Sequence, residues 1–142
     1  MSTPRLLEAF YTRIWNQGDL DAVSELLAKD FVFRGSLGQE VRGHEAFKDY
    51  VRAVRGALAA YRCDTLACVT EGEQAFAKMR FSGVHVGTFR GYAATGRSVY
   101  WLGAALFRFD EGLIAELWVL GDLVGLDAIL RSNQEEASRS AS

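Results

Sequence analysis

An apolar stripe with the period of a helix runs through residues 3–18. Its members follow the i, i+3, i+4, i+7 and i+8 spacing of one helical face: Leu7, Phe10, Tyr11, Ile14 and Trp15. Thr3 and Pro4 are a start signal, because Pro has no amide hydrogen to lose in the first turn, and Gly18 ends the helix. The same reasoning predicts a second helix over residues 19–28 and a third from Phe47 to Leu58.

Beyond residue 61 the apolar period changes from 3.6 to 2, which is typical of strands. Gly-containing turns at residues 71–72, 95–96 and 111–112 separate the extended runs, and a short strand is predicted over residues 31–34. Helices followed by strands indicate an α+β fold. We predict one domain over residues 1–131, closed by a short helix over residues 123–131. Residues 132–142 form a small, polar tail that we expect to be disordered.

The run from Val99 to Phe109 carries large apolar side chains at both parities. One set is Val99, Trp101, Ala105 and Phe107, and the other is Tyr100, Leu102, Ala104 and Leu106. An antiparallel sheet normally keeps one face in water. Helices on one face and a second copy of the chain on the other would cover both sets, so we predict a homodimer through the sheet.

The charge and cysteine content exclude several classes of protein. With 16 basic and 18 acidic side chains and no Lys/Arg cluster, the chain lacks the electrostatic signature of nucleic-acid or membrane-surface binding. No apolar run approaches the roughly 20 residues of a membrane span. Cys63 and Cys68 lie five residues apart in a predicted strand, roughly 16 Å from each other, which prevents a disulfide between them. We therefore expect a cytoplasmic protein with free, buried thiols.

Three strings occur in the order found in a known family. WNQGDLDAVSELLAKDFVF (15–33) resembles the opening helix pair and first strand of the SnoaL-like polyketide cyclases. FSGVHVGTFRGYAATGR (81–97) is similar to their GTHTGxFxGxPPTGR segment, and LFRFDEGLIAELW (106–118) is similar to their IFRFEDGKIxExW hairpin. The resemblance spans Tyr11 to about Leu130. It implies the nuclear transport factor 2-like cone, an α+β barrel in which three N-terminal helices pack on a curved, mostly antiparallel sheet around a ligand cavity, without a cofactor.

The resemblance also implies which residues reach the cavity. It places His85 at the family's Thr-His-Thr histidine and Asp122 at the acid that follows the Glu-x-Trp strand. Strand parity independently turns His85 inward. The chain departs from the family pattern at Ala93 and Ala94, where the family has prolines, and at Val119, where an acid often stands. The loop after residue 33 also differs from that of the cyclases proper, which makes another branch of the family plausible.

Aldol ring closure or isomerisation needs a base beside a carbonyl and a donor for the enolate oxygen. Asp122 is the candidate base, because burial in an apolar cavity raises the pKa of a carboxyl, and His85 is the candidate proton donor. The alternatives are that Asp122 caps the last helix and that His85 is a core histidine. Candidate ligand-contacting residues are Arg34, Ser36, Trp15, Trp101, Trp118, Tyr50 and Phe33. Arg34 is equally suited to an ion pair with an acid at the rim, and each Trp belongs as readily in the core.

These residues predict a cofactor-free enzyme that acts on a small hydrophobic or aromatic molecule, as a polyketide cyclase does. Two alternatives stay open: an epoxide hydrolase or hydroxylase-like member of the same fold, and a protein that binds a small apolar ligand without transforming it. The two His and two Cys residues show no metal-ligand spacing, and the glycines form no phosphate-binding loop. We therefore predict neither a metal nor a cofactor.

Overall fold

The computed structural model describes residues 2–141 and contains four α-helices within that range. Helix α1 (Thr3–Ala9) continues directly into a π-helical segment (Phe10–Asn16), and α2 (Ala22–Leu26) follows. Helix α3 spans His44–Ala57 and α4 spans Leu123–Ala141. Helix α3 carries its buried side chains on one stripe, as its i, i+3, i+4 and i+7 spacing predicts: Phe47, Tyr50, Val51 and Val54.

Six strands form one curved, open sheet. They are β1 (Leu27–Arg34), β2 (Glu40–Arg42), β3 (Leu58–Glu71), β4 (Gln74–His85), β5 (Ser98–Asp110) and β6 (Leu113–Gly121). Their order across the sheet is β2-β1-β6-β5-β4-β3, and every pair is antiparallel except β1 with β6. Register shifts place extra residues in β3 and β6, which marks bulges, and bulges bend strands. The predicted α+β fold is confirmed.

The core fills the space between the concave face of this sheet and the N-terminal helices. Its centre is aromatic: Phe10 of the π-helical segment stacks on Phe47 of α3, with ring centroids 5.9 Å apart, and meets Phe107 of β5 edge to face at 5.7 Å. All three residues are fully buried. Burial of side chains this large is the main favourable term for the fold, since each removes more than about 150 Å² from water.

Several boundaries differ from the sequence expectations. The predicted first helix is helical over most of its length but changes to π geometry at Phe10, and the predicted second helix ends at Leu26, where β1 begins. The largest difference is at the other end, because residues 132–141 continue α4. Arg97 pairs with Glu136 at 2.8 Å and the Asn133 side chain donates to the Ser98 carbonyl at 3.0 Å, so this part of α4 packs along the start of β5.

The two cysteines differ in their surroundings. Cys63 is buried, as predicted, but Cys68 is exposed. Cys68 lies in the last part of β3, where all residues from 65 to 71 are exposed. Across residues 2–141, no helix combines the length and hydropathy needed to cross a bilayer.

Candidate functional site

A small cavity lies between the concave face of the sheet and the helices. Its volume is about 20 Å³, which is room for roughly one water molecule. The wall is aromatic and aliphatic with a few hydroxyl groups. It consists of Phe10, Tyr11 and Trp15 from the π-helical segment; Phe33, Ser36 and Leu37 from β1 and the turn after it; Tyr50 and Val54 from α3; Tyr61 and Cys63 from β3; and Phe81, Trp101, Leu117 and Val119 from β4 to β6.

Five predicted ligand-contacting residues lie in this wall. They are Trp15, Phe33, Ser36, Tyr50 and Trp101. The hydroxyl oxygen of Ser36 accepts a hydrogen bond from the indole N–H of Trp101 at 3.1 Å, which fixes the turn after β1 against β5. The phenol ring of Tyr50 packs edge to face on Trp15, with centroids 5.9 Å apart. The placement is as predicted, and the contact with a ligand stays a prediction.

The other two predicted ligand-contacting residues lie outside the wall. Trp118 is 43% exposed on the convex face of the sheet, because alternate residues of β6 point away from the helices. The guanidinium of Arg34 lies 5.7 Å from the centre of the Trp118 ring and donates to the backbone carbonyls of Val119 and Gly35. Arg34 therefore donates to backbone carbonyls and, among the described residues, forms no ion pair with an acid at the rim. Neither Arg34 nor Trp118 lies in the cavity wall, and their contact with a ligand stays a prediction.

Asp122 caps α4. Its Oδ1 accepts the backbone N–H of Gly125 at 2.9 Å, and its own N–H donates to the carbonyl of Leu102. A side chain at position 125 would collide with the carboxylate, since a Cβ there would lie 2.3 Å from Asp122 Oδ2. The side chain is exposed and lies outside the cavity wall. The sequence allowed Asp122 to be either a catalytic base or a helix cap, and in the structure its carboxylate caps α4.

His85 is fully buried at the end of β4, on the inward face that strand parity predicts. Its backbone is held by hydrogen bonds with Arg97 and Gly96. Neither ring nitrogen has a hydrogen-bond partner among residues 2–141. The ring lies 6.3 Å from that of Phe89, which in turn lies 6.0 Å from Trp101 in the cavity wall. His85 therefore lies one aromatic ring behind the cavity.

The cavity residues that sequence reasoning missed are chiefly hydroxyl and thiol groups. The hydroxyl of Tyr11 is buried and has no hydrogen-bond partner among the described residues. Tyr61 and Cys63 hydrogen-bond through their side chains. A signal for all three was present: Tyr11 shares the apolar helical stripe of Trp15, and Tyr61 and Cys63 share one strand parity. Each combines a place on the core-facing side with a polar atom that must find a partner there.

Burial sets the protonation of these groups. Loss of solvation raises the pKa of Tyr50 to about 12, an effect that the positive charge of Arg34 partly opposes. The same desolvation raises the pKa of Tyr11 and Tyr61 well above the ordinary value for a phenol, and it raises that of the Cys63 thiol. The phenols are therefore protonated at neutral pH, so each can donate a hydrogen bond into the cavity.

A larger groove opens at the mouth of the cone, between α3 and the loop of residues 86–97. Its volume is about 430 Å³, and Gln39, Thr88, Phe89 and Arg90 line it. Arg90 also makes a bidentate ion pair with Asp127 of α4, with N to O distances of 2.8 and 3.0 Å. This pair fastens the loop to the last helix. Within residues 2–141, no three His, Cys, Asp or Glu side chains are grouped so that they would hold a metal ion.

Helices packed on one face of a curved, open, mostly antiparallel sheet define an α+β domain with a small aromatic cavity between the two layers. The sequence profile of the SnoaL-like polyketide cyclases matches residues 5–130. The chain therefore belongs to the SnoaL-like polyketide cyclase family, as the three sequence strings predict. No curated protein shows significant sequence similarity to it.

Solved structures agree on the fold. A candidate polyketide cyclase from Acidithiobacillus ferrooxidans superposes with a TM-score of 0.81 at 21% identity, over 94% of this chain and 99% of that one. IdmH, a candidate polyketide cyclase from Streptomyces antibioticus, gives 0.80 at 22% identity over 92% and 99%. TsrD from Streptomyces laurentii gives 0.78 at 28% identity over 89% and 92%. At these identities the first two structures show the fold alone.

Proposed function

We propose that the chain is a cofactor-free enzyme that converts a hydrophobic carbonyl compound by acid/base chemistry, through aldol ring closure or isomerisation. Family membership and the candidate polyketide cyclases among its structural neighbours support this reaction class. The observation that carries the proposal is a set of buried polar atoms without partners in the protein: the Tyr11 hydroxyl and both ring nitrogens of His85. Buried groups of this kind cost about 1–3 kcal/mol each unless something satisfies them.

In this proposal the phenols hold the substrate oxygen. Tyr11, Tyr50 and Tyr61 stay protonated because burial raises their pKa, so a carbonyl in the cavity meets neutral O–H donors. As a proton leaves the carbon beside the carbonyl, negative charge develops on the oxygen. Donors fixed in a water-excluded site stabilise that charge more than they stabilise the neutral ketone, which lowers the barrier.

His85 moves the proton. A neutral imidazole has one nitrogen that accepts a proton and one that donates a hydrogen bond, so it can take the proton from the substrate carbon and return it at another position. His85 meets the substrate once the ring of Phe89, which lies against it, turns aside. Asp122 is the less favoured base, because its carboxylate is exposed and accepts the Gly125 amide.

Exchange of solvent deuterium into 2-tetralone, followed by NMR, tests the proton-abstraction step without knowledge of the natural substrate. We expect His85→Gln to lower the exchange rate by about 100-fold or more. His44→Gln is the matched control, since His44 is the first residue of α3, its Nε2 bonds the Leu27 and Ala28 carbonyls, and it lies outside the cavity wall. A folded His85→Gln variant that exchanges at the wild-type rate would remove His85 from the mechanism, and a comparable loss in Asp122→Asn would return the base role to Asp122.

A second candidate is a non-catalytic protein that binds a small apolar ligand. Two observations favour it: Asp122 caps α4, and no carboxylate is present in the described cavity wall. Native mass spectrometry of the purified protein distinguishes the two functions when it is combined with the exchange assay. A retained small molecule with no exchange above the solvent rate would favour the binder.

We further propose that the chain forms a homodimer through the convex face of the sheet. Phe76, Leu106 and Trp118 lie side by side across β4, β5 and β6 and are 42–44% exposed, with Leu102 and Leu120 nearby. Contiguous apolar patches of this kind mark interaction surfaces. Light scattering should give twice the chain mass at micromolar concentration, and Leu106→Asp should halve it. Val124→Asp, at a side chain 84% exposed on α4, should leave the mass unchanged.

A further inference from the structure

Three side chains lie between the small inner cavity and the larger groove. Leu37, Tyr50 and Val54 belong to the walls of both. We call these three residues the partition. On one side lies a space of about 20 Å³ among aromatic rings, and on the other lies a space of about 430 Å³. Ligand pockets commonly have about 300–1,000 Å³, so the inner space admits a ligand only when the partition yields.

Leu37 is the member of the partition that is free to move. Tyr50 and Val54 lie on the second and third turns of α3, and the Tyr50 ring packs between Trp15 and Phe33 at centroid distances of 5.9 and 5.3 Å. Leu37 lies on a tight turn and is only partly buried. Gly38, which follows it, has a φ of 98°, a conformation that favours glycine.

The turn itself is anchored on both sides of Leu37. The Ser36 hydroxyl accepts the Trp101 indole N–H, and the Ser36 backbone packs so closely on Gly121 that a Cβ there would lie 2.7 Å from the Ser36 carbonyl oxygen. On the other side the Gly35 N–H donates to the Gln39 carbonyl at 2.9 Å. Because the backbone is held, rotation of the Leu37 side chain is the least costly way to join the two spaces.

We propose that Leu37 is a gate through which the inner cavity takes one end of an elongated ligand, an inference that rests on the proposed function and deepens it. The inner end is flat and apolar with one oxygen, which meets the Tyr11 hydroxyl among the rings of Trp15 and Trp101. The outer end lies in the groove, where the side chains of Gln39 and Thr88 supply hydrogen bonds.

Stopped-flow binding of 2-naphthol tests the gate, since Trp15 and Trp101 in the cavity wall report its arrival by fluorescence. A gate slows association, so Leu37→Ala should raise the association rate constant about tenfold or more, and the dissociation rate should rise with it. Leu37→Trp should lower both. Leu20→Ala is the matched control, because Leu20 is also partly buried but lies at the start of α2, outside the partition. Circular dichroism verifies that each variant is folded.

The outcomes separate the gate from the proposed function. An unchanged association rate in Leu37→Ala, or a rise in dissociation alone, would show that Leu37 is a fixed wall and overturn the gate. Absence of 2-naphthol binding in both wild type and Leu37→Ala would overturn it as well. If the rates change as expected while 2-tetralone exchange stays at the solvent rate, the gate stands and the enzymatic proposal fails.

Discussion

The two faces of β5 and β6 are almost equally apolar, yet only one of them is covered in the monomer. On the concave face Trp101, Phe107 and Leu117 are at most 2% exposed, whereas Leu102 and Leu106 on the convex face are each 42% exposed. The helices account for the difference, because they pack on the concave face alone. Alternation along a strand therefore divides side chains into two sets, but the position of the helices decides which set is buried and which stays exposed.

The largest effect that tests this comparison is on stability. Trp101→Ala should lower the free energy of unfolding by about 3–5 kcal/mol, because it empties a buried site and leaves the Ser36 hydroxyl without its donor. Leu102→Ala, one residue along the same strand, should cost less than about 1 kcal/mol in the monomer, since the side chain is already in water. Urea unfolding at a concentration where the chain is monomeric measures both. Equal losses of unfolding free energy at the two positions would contradict the difference in packing between the two faces.

The next largest effect is the loss of stability at alkaline pH that the buried tyrosines of the concave face should cause. Tyr50 has a pKa of about 12 in the folded protein against an ordinary value of 10.0. Between these values the unfolded chain has lost a proton that the folded chain keeps, so the free energy of unfolding falls as pH rises. The contribution is complete below pH 10 and is lost by about pH 12, at roughly 2–3 kcal/mol for Tyr50. Buried Tyr11 and Tyr61 act in the same direction.

Urea titrations at several pH values measure this slope. Tyr50→Phe has no proton to lose, so it should flatten the decline above pH 10 relative to wild type. If the slope were the same in both proteins, the Tyr50 phenol would have to be solvated in the folded state, which contradicts its place in the cavity wall.

The smallest effect concerns Asp122. Asn also accepts a hydrogen bond at a helix N-terminus, so Asp122→Asn should keep the free energy of unfolding nearly unchanged, whereas Asp122→Ala should lose about 1 kcal/mol with the bond to the Gly125 amide. Thermal unfolding of the pair measures the difference. A loss in Asn as large as that in Ala would mean that the carboxylate's charge, and not the cap, matters at this position.

Most of the fold followed from the sequence, because helical and extended periods changed at the right places and three family strings occurred in order. Asp122 was harder to place. It shares strand parity with Trp118 and Leu120, and both lie exposed on the convex face. Large apolar residues occupy both parities of β6, so the pattern alone did not reveal which parity faces the helices. The sequence nevertheless indicated the helix-cap alternative, since Asp122 directly precedes a helical pattern.

The π-helical segment was not predictable from periodicity. The end of the segment is held by a contact with a distant strand, which a local pattern does not reveal. The Asn16 side chain bonds both the N–H and the carbonyl of Cys63, at 2.7 and 3.1 Å. This side chain ties the end of the segment to β3. Tyr11 and Trp15 lie just before that attachment. The contact that holds the end of the segment therefore also positions these two side chains in the cavity wall.

The two cysteines differ in exposure, so the labelling of Cys63 can report motions of the cavity wall. Cys68 is exposed, whereas Cys63 lies in the cavity wall and burial raises the pKa of its thiol, which leaves little thiolate to react. A thiol reagent added to a Cys68→Ser variant of the native protein therefore encounters only a sulfur that is hidden while the cavity is closed. The labelling rate of the Cys63 thiol therefore measures how often the protein opens enough to admit a molecule of the reagent's size.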